Sequence, residues 1–499
     1  MTPSDNNLMM IRVPAVLFGV AALALAALGA LCEAGPFMIS DHPQLFLDDH
    51  LVRSAENLKR AVRQPKKHAA NPLIVREHPW ERRVIEIYGT ILFDAQTGTF
   101  RCWYLSNEYR DGIPDNPAHP RTAEYATCYA ESVDGVRWTK PMVGLEPFGV
   151  HTKHNIVIAG THGFCVMPTP DDPEPQRRYK GAGGAVFGFS PDGIRWDIRD
   201  WRAAVGKNDT STCVVRWKGE YLAYVRAQVD EPEWPGVMRG VGLSVSQDFE
   251  HWTQKKTVFT TDAADGYPWT QPYGISVTPY GDVLIGILWL IHLDRVPKNN
   301  GLGHMDTQLV VSRDGRTWGR VADRALFLQP TPDTWDAGRV FPGTTMFVRD
   351  DKVHIYYTGV NTRHGEGWGA MGIGLASLPA DRFVALEPED PAKEGILETH
   401  PLSAEGTELL VNADVVEDGL HVELLDGAGK VLAGYARQQS RLIRSDPLRW
   451  RVVWGAGAAA KSLEDVRDKH PFAMRFILSD ADLYAFQIVN PTRHEKADR

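Results

Sequence analysis

The sequence predicts an all-β protein, a five-bladed β-propeller followed by a C-terminal β-sandwich. Three observations carry this prediction: a turn motif that recurs four times, short strand-like segments around each copy, and a change of pattern after residue 386. Repeats of this kind, each a small unit of several strands, are typical of propellers. The predicted division is a signal peptide at 1–34, the propeller at 36–386 and the sandwich at 387–499.

The repeated motif, called the Asp-box turn below, reads Ser-x-Asp-(Gly or Phe)-x-x-Trp, and its serines lie 58, 56 and 66 residues apart. Its four copies are Ser132–Trp138, Ser190–Trp196, Ser246–Trp252 and Ser312–Trp318. Asp accepts bonds from nearby backbone N–H groups and Gly takes a positive φ, so the motif predicts a tight turn. We therefore expect its four carboxylates to be structural, namely Asp134, Asp192, Asp248 and Asp314.

Four short strand-like segments can be read around each Asp-box turn from apolar alternation and turn residues. These units begin near Ile85, Phe164, Thr212 and Tyr273. A fifth unit at 344–376 keeps the strands, but its last turn at 377–383 has lost the motif. Residues 36–84 are expected to supply the closing strand and the approach to the first blade.

A second domain is predicted after the acidic, proline-containing stretch at 387–391, where the Asp-box turn no longer appears. Five strand-like segments follow, at 409–416, 420–425, 448–454, 472–478 and 483–489. Gly and Asp turns separate them, which favours an antiparallel sandwich packed against the propeller.

The N-terminus predicts export. Arg12 precedes an apolar run at 13–31 that ends in small residues, the pattern of a secretory signal peptide. The protein is therefore expected in the periplasm or outside the cell, with membrane attachment only if this long segment stays uncleaved as an anchor. Export permits disulfides, and Cys102 could pair with Cys128, but small buried thiols are the expected state of the four later cysteines.

Composition excludes several function classes. The net charge of −9 gives no basic surface for nucleic acid. The chain has no glycine-rich phosphate loop, Gly-x-Ser-x-Gly elbow or dinucleotide fingerprint. Fifteen Trp and fifteen Tyr suit strands and also carbohydrate recognition, because aromatic rings stack on the apolar faces of sugars. We expect a carbohydrate substrate and no cofactor, with a structural cation in the axial channel and the oligomeric state left open.

Several segments resemble a known superfamily. They are Glu86–Thr90, Arg101–Tyr104, the Asp-box turns, Trp335–Gly338, Gly372–Ser377, Leu410–Asp414 and Arg475–Phe486. With these, the chain resembles the superfamily of glycoside hydrolase families 32 and 43, and more closely exported family-32-like proteins. The resemblance implies a five-bladed propeller with a sandwich and hydrolysis of glycosidic bonds. The family-32 segments Trp-Met-Asn-Asp-Pro-Asn-Gly and Arg-Asp-Pro are absent, so its catalytic roles do not transfer to particular residues here.

Candidate catalytic residues come from propeller geometry, which brings the beginnings of the inner strands together at one end of the axis. Glycosidic cleavage needs one protonated and one ionised carboxyl group. Asp209 lies in a short polar run before an apolar strand, where a turn or cap is the alternative role. Glu86 is the second candidate, although alternation could point it between blades. Asp336 is the third, or an ion-pair partner of Arg339.

Candidate binding residues lie on the same predicted face, opposite the Asp-box turns. They are Tyr88, His162, Trp269, Gln271, His304, Asp306, Arg339 and Trp368. His304 with Asp306 could hold a sugar hydroxyl. Several histidines share this face, but no local spacing supports a metal site, so none is predicted.

The sequence therefore predicts an exported glycoside hydrolase that acts on a polysaccharide or oligosaccharide by carboxylate acid/base chemistry at the propeller axis. A non-catalytic glycan-binding propeller is the alternative, because the family-32 catalytic signature is missing. A propeller that binds protein is a third reading.

Overall fold

The computed structural model describes residues 35–107, 125–206, 208–231, 234, 238–295, 301–416, 418–469 and 471–490. The described residues from Pro36 onward belong to one compact unit. The signal peptide predicted at 1–34 lies outside the described residues. Within these ranges, no helix combines the length and the apolar character needed to cross a membrane.

The described chain opens with five short strands: β1 (Phe37–Met38), β2 (Gln44–Leu45), β3 (Val52–Glu56), β4 (Leu58–Val62) and β5 (Lys66–Lys67). Within the described residues the helical segments are one α-helical turn, α1 (Arg202–Val205), and 3₁₀ turns at Pro79–Glu81, Pro175–Arg177, Ala263–Asp265, Ala322–Arg324, Gly457–Ala459 and Leu463–Lys469.

Five antiparallel meanders follow along the chain. The first has β6 (Val84–Asp94), β7 (Thr99–Asn107), β8 (Tyr125–Ser132) and β9 (Ile156–Ala159), and the second has β10 (Cys165–Pro168), β11 (Tyr179–Gly183), β12 (Val186–Ser190) and β13 (Asp197–Asp200). The third has β14 (Cys213–Trp217), β15 (Glu220–Val229), β16 (Met238–Ser246) and β17 (Lys256–Phe259). The fourth has β18 (Thr270–Tyr280), β19 (Val283–Arg295), β20 (Leu302–Ser312) and β21 (Gly319–Arg320). The fifth has β22 (Arg339–Pro342), β23 (Phe347–Arg349), β24 (Lys352–Val360) and β25 (Met371–Pro379), and β5 pairs with β25.

The Asp-box turns hold the ends of the third strands by local hydrogen bonds. Asp134 Oδ1 accepts the backbone N–H groups of Val136 at 2.9 Å and Arg137 at 2.8 Å. Ser132 Oγ accepts the N–H of Gly135, whose φ is 73°. The other three copies repeat these contacts. The prediction that these carboxylates are structural is confirmed.

Hydrogen bonds close the meanders into a ring. The Thr90 and Thr344 hydroxyls, 2.7 Å apart, join the first meander to the fifth, and the Val166 N–H donates to Thr90 Oγ1 at 2.9 Å to join the first to the second. The other junctions have backbone N–H donors: Val214 to Cys165 Sγ at 3.4 Å, Val277 to Cys213 Sγ at 3.2 Å and Met346 to Thr278 Oγ1 at 3.0 Å. The all-β propeller prediction is confirmed, and five stays the predicted number of blades.

The sandwich consists of two sheets around one apolar core. Its strands are β26 (Val384–Pro388), β27 (Gly395–Thr399), β28 (Leu402–Ser403), β29 (Glu408–Val415), β30 (Leu420–Leu425), β31 (Ser440–Arg444), β32 (Trp450–Trp454), β33 (Ala473–Leu478) and β34 (Ala481–Val489). One sheet has the order β31-β32-β29-β34-β26-β4, with β2 also paired to β34, and the other has the order β3-β27-β33-β30. Phe46, Leu397, Val411, Phe476 and Phe486 belong to the core between them.

Residues 36–84 were expected to supply the closing strand of the propeller and the approach to its first blade. Strand β5 does pair with the last propeller meander, but β2, β3 and β4 pair with strands of the sandwich. The strands between residues 44 and 62 thus tie the start of the described chain to its C-terminal part. The division at residue 387 stays a prediction.

The four cysteines in the described part of the chain are buried and free, namely Cys102, Cys128, Cys165 and Cys213. Cys102 and Cys128 lie on adjacent strands, β7 and β8, but no disulfide joins them. The expectation of small buried thiols is confirmed for these four.

Candidate active site

A pocket of about 360 Å³ lies at the start of the inner strands β6, β14, β18 and β22, and the segment before β10 also contributes to it. Its lining residues are Glu86, Tyr88, Tyr125, His162, Asp209, Arg226, Arg239, Tyr273, Met305, Arg339, Phe341, His364 and Trp368. Six of the predicted site residues belong to this lining: Glu86, Tyr88, His162, Asp209, Arg339 and Trp368. Thr90, whose hydroxyl joins the first meander to the second and the fifth, lies two residues after Tyr88 on strand β6.

Glu86 lies on β6 just before a register irregularity between residues 86 and 90. Its side chain lines the pocket although the residue is only 5% exposed. Burial raises the pKa of the Glu86 carboxyl to about 7, and the positive charge of Arg339 only partly opposes this effect. Glu86 can therefore carry a proton near neutral pH.

Asp209 lies in the segment between α1 and β14, and its carboxylate forms an ion pair with Arg226 of β15. Its side chain is 35% exposed and lines the pocket. The neighbouring Asn208 fixes this segment, because its Oδ1 accepts the backbone N–H of Arg226 at 3.2 Å and its Nδ2 donates to Thr212 Oγ1 at 2.7 Å. An opposite charge at hydrogen-bond distance favours the ionised form of a carboxyl group.

Three arginines line the pocket although they are nearly buried: Arg226 is 7% exposed, Arg239 3% and Arg339 4%. Arg339 donates to the carbonyl oxygens of Arg363 at 2.8 Å and Thr362 at 3.4 Å. Its guanidinium also lies 5.8 Å from the centre of the Trp368 ring, while that of Arg239 lies 5.0 Å from the Tyr273 ring. Backbone and aromatic contacts thus hold these cations in fixed positions.

Two partly buried histidines in the lining, His162 and His364, are neutral at pH 7. Burial lowers the pKa of His162 to about 4, although Asp209 opposes the effect. Burial also lowers the pKa of His364 to about 4, and the nearby arginines act in the same direction. His364 Nδ1 lies 2.8 Å from the Gly301 carbonyl oxygen, so this nitrogen carries the proton and Nε2 can accept from the Tyr273 hydroxyl at 3.3 Å.

The expectation that Asp336 reaches the axis needs correction, since this residue is absent from the pocket lining. Its carboxylate is 2.5 Å from Lys67 Nζ and accepts hydrogen bonds from Thr334 Oγ1 at 2.6 Å and the Tyr357 hydroxyl at 3.0 Å. Asp336 is 1% exposed. The side chain therefore turns toward the closing strand β5, and its ion-pair partner is Lys67 rather than Arg339.

Four predicted binding residues also lie outside the lining: Trp269, Gln271, His304 and Asp306. Gln271 is fully buried, and its Oε1 accepts the backbone N–H of Arg239 at 3.2 Å, so it positions a lining residue. Trp269 is 41% exposed and packs edge-on against Trp234. His304 and Asp306 form a separate cluster with His292.

The His292–His304–Asp306 cluster is the group in the described residues whose ligand atoms could hold a metal ion, since these atoms lie within 4.8 Å of one another. Imidazole and carboxylate ligands suit Zn²⁺. The two imidazole rings stack with centroids 4.5 Å apart, and His292 Nε2 is 3.0 Å from Asp306 Oδ1. The expectation that the protein has no metal site stays a prediction.

Seven lining residues were not among the predicted site residues: Tyr125, Arg226, Arg239, Tyr273, Met305, Phe341 and His364. Arg226 carried a usable signal, because it is the one charged residue in the apolar run at 221–227. A charge in a buried strand is costly unless it has a partner or a function. Tyr125 begins β8, whereas Met305 and Phe341 are ordinary strand residues without a distinguishing signal.

No protein-family model and no curated protein matches the chain. A glycosyl hydrolase from Bacteroides ovatus is similar at 15% identity over 64% of this chain and 95% of its own, with a TM-score of 0.43. A family-32 β-fructofuranosidase from Bombyx mori is similar at 11% identity over 83% and 96%, with a TM-score of 0.38. An α-L-arabinofuranosidase from Fusarium graminearum is similar at 11% identity over 65% and 99%, with a TM-score of 0.37. These structural neighbours are glycoside hydrolases.

Proposed function

We propose that this protein is an exported glycoside hydrolase that cleaves glycosidic bonds in a polysaccharide or oligosaccharide within the axial pocket. One observation carries the proposal: two carboxyl groups with opposite electrostatic surroundings line the same pocket. Glu86 is buried and has a raised pKa of about 7, whereas Asp209 is paired with the guanidinium of Arg226. A buried carboxyl group that holds its proton, in the same pocket as a second carboxyl group that faces a cation, is the arrangement that glycosidic cleavage requires.

In the proposed reaction Glu86 is the general acid. Its proton passes to the glycosidic oxygen as the bond from the anomeric carbon to that oxygen breaks, and the bonding electrons stay with the leaving sugar. Asp209 stays ionised and faces the positive charge that develops on the anomeric carbon. A water molecule then supplies the oxygen bonded to that carbon, and its released proton goes to a carboxylate of the pair.

The rest of the lining suits sugar binding. Tyr88, Tyr273, Phe341 and Trp368 provide aromatic surfaces, on which the apolar face of a sugar ring can stack. His162 is neutral at pH 7, so it can take part in a hydrogen bond to a hydroxyl group without adding charge, whereas both ring nitrogens of His364 already have protein partners. The N-terminal apolar segment at 13–31 supports export and hence a substrate outside the cytoplasm.

The test is the release of reducing ends from a broad panel of polysaccharides and oligosaccharides by the parent protein, Glu86→Gln and Asp209→Asn. We expect the parent to release sugar from at least one substrate and each variant to lose about 10²–10⁴-fold in rate, the usual contribution of a positioned acid or base. Asp336→Asn is the matched control, because it changes a buried carboxylate outside the pocket.

Equal loss of rate in folded Asp336→Asn and Glu86→Gln would contradict the assignment of the pocket. Binding of a glycan without any released reducing ends would support the alternative, a non-catalytic glycan-binding propeller. Circular dichroism of each variant checks that the fold is kept.

A further inference from the structure

The pocket carries more positive than negative charge. Its lining has three guanidinium groups, of Arg226, Arg239 and Arg339, and two carboxyl groups, of Glu86 and Asp209. With both carboxyls ionised the lining has a net charge of +1, because three minus two is one, and protonation of Glu86 makes it +2. The two lining histidines add no charge at pH 7, since both are neutral.

The carboxyl groups do not neutralise the arginines equally. Asp209 forms its ion pair with Arg226. Among the described residues, no carboxylate lies within ion-pair distance of Arg339, whose hydrogen bonds go to backbone carbonyl oxygens. The exposed acids Asp294 and Glu366 are both bound by Arg363. Arg339 is thus a nearly buried cation of the pocket lining with no carboxylate at ion-pair distance among the described residues.

A buried guanidinium without a carboxylate at ion-pair distance is unfavourable, because the charge has lost its hydration without gaining a close partner. The cost is reduced when an anion binds beside it. Arginine suits this task, since its planar fork donates two parallel hydrogen bonds to a carboxylate or sulfate. Trp368, whose ring lies beside Arg339 and which also lines the pocket, could at the same time stack on the sugar that carries the anion.

We propose that the glycan bound in this pocket is acidic, and that its carboxylate or sulfate group binds Arg339 together with Arg239. This inference rests on the proposed function, because the anion is taken to belong to the sugar that the pocket holds. It names the substrate class as acidic polysaccharides or oligosaccharides, rich in uronic acids or sulfated sugars.

The test measures binding without turnover, by isothermal titration, for matched pairs of acidic and neutral sugars. The pairs are methyl β-D-glucuronide with methyl β-D-glucoside, methyl α-D-galacturonide with methyl α-D-galactoside, and galactose 6-sulfate with galactose. We expect at least one acidic sugar to bind about tenfold or more tightly than its neutral partner, as one charge-assisted contact gives. This preference should shrink as sodium chloride is added.

Arg339→Gln should remove the preference, and Arg339→Lys should keep part of it, because the charge stays while the fork is lost. Arg101→Gln is the matched control: Arg101 is also nearly buried, stacks near three aromatic rings and binds the Asp-box turn at Asp192, away from the pocket. This control should keep the parent's preference. If Arg339→Gln does not fold, Arg339→Lys and the salt dependence of the parent still decide the question.

Three results would overturn the inference: neutral sugars binding as tightly as their acidic partners, no binding of any acidic sugar, or an unchanged preference in folded Arg339→Gln. Binding of inorganic phosphate alone, with no acidic sugar bound, would also overturn it, because the arginines would then serve a free oxyanion. The two proposals can fail separately. Binding of acidic sugars without hydrolysis contradicts only the hydrolase, and hydrolysis of neutral glycans alone contradicts only the acidic substrate.

Discussion

The two faces of the propeller use carboxyl groups in opposite ways. At the Asp-box turns, the backbone N–H groups of Arg137 and Val136 hold the pKa of Asp134 well below its ordinary value. In the pocket, burial raises the pKa of Glu86 to about 7. No hydrogen bond to the Glu86 carboxyl occurs within the ranges that the structure describes. The surroundings of a carboxyl group, rather than its presence in a motif, therefore decide whether it can carry and transfer a proton near neutral pH.

The Asp-box carboxylates and the pocket carboxyl groups also differ in how often they recur along the chain. The Asp-box carboxylates recur at the same place in four meanders because each closes the same turn. Glu86 and Asp209, the proposed catalytic pair, instead come from two different places, strand β6 and the segment before β14, so their surroundings in the one pocket differ. The most repeated acidic residues in this sequence are therefore the structural ones.

The largest expected effect is on leaving-group dependence. Glu86→Gln should lower the hydrolysis rate of a natural oligosaccharide by about 10²–10⁴-fold, because the leaving oxygen is no longer protonated. A dinitrophenyl glycoside of the same sugar should lose far less, since its leaving group needs no proton. Steady-state rates on both substrates check this. Asp314→Asn, at an Asp-box turn, should hydrolyse both like the parent, and an equal loss of rate on both substrates by Glu86→Gln would contradict the role of general acid.

The next effect is on the pH dependence of kcat/KM. The general acid must be protonated, so kcat/KM should fall by about tenfold per pH unit as the pH rises above the Glu86 pKa of about 7. In Glu86→Gln this alkaline limb should disappear, leaving a low, flat profile. An alkaline limb with the same midpoint in Glu86→Gln would show that another group titrates there. It would contradict the role of Glu86 as the general acid.

A smaller effect concerns the Asp-box face. Asp192→Ala removes the acceptor of the Ile194 and Arg195 backbone N–H groups and should lower the free energy of unfolding by about 1–3 kcal/mol. Urea unfolding followed by tryptophan fluorescence measures the loss, and kcat/KM at pH 6 should stay within about twofold of the parent, as expected for a change far from the site. A selective loss of kcat/KM without loss of stability would show that this face takes part in the reaction.

A further effect is the coupling of Glu86 to stability. Its pKa is raised from the ordinary 4.5 to about 7 in the folded protein, so the folded state binds more protons than the unfolded state between these values. The stabilisation from this protonated carboxyl is fully present below pH 4.5 and is lost as the pH rises through 7. Relative to Glu86→Gln, the parent should therefore lose unfolding free energy between pH 4.5 and 7. Parallel curves for the two proteins would contradict the raised pKa.

Much of the propeller could be predicted because its signals are local. Apolar alternation and the Asp-box turns lie within each meander, so neighbouring residues specify the strands and turns. The pairing of β3 and β4 with β27 and β26 could not be predicted in this way, because it joins segments at opposite ends of the described chain. The local sequence of a short strand does not identify the distant strand with which it pairs.

The site was predictable in part for the same reason. Glu86 and Asp209 are polar residues next to apolar strand segments, a pattern visible in the sequence. The direction of the Asp336 side chain depends on Lys67, which is 269 residues away, so spacing could not exclude Asp336 from the axis. Arg226 was overlooked because it lies inside a strand, although it supplies the charge that pairs with Asp209.

The most direct test of the acid–base assignment is infrared difference spectroscopy of the carboxyl groups during a pH titration of the parent and Glu86→Gln. We predict a protonated-carboxyl band that disappears in the parent with a midpoint near pH 7 and is absent from the variant. If every carboxyl band of the parent disappears below pH 5, Glu86 is an ordinary ionised carboxylate at neutral pH and the proposed general acid is wrong.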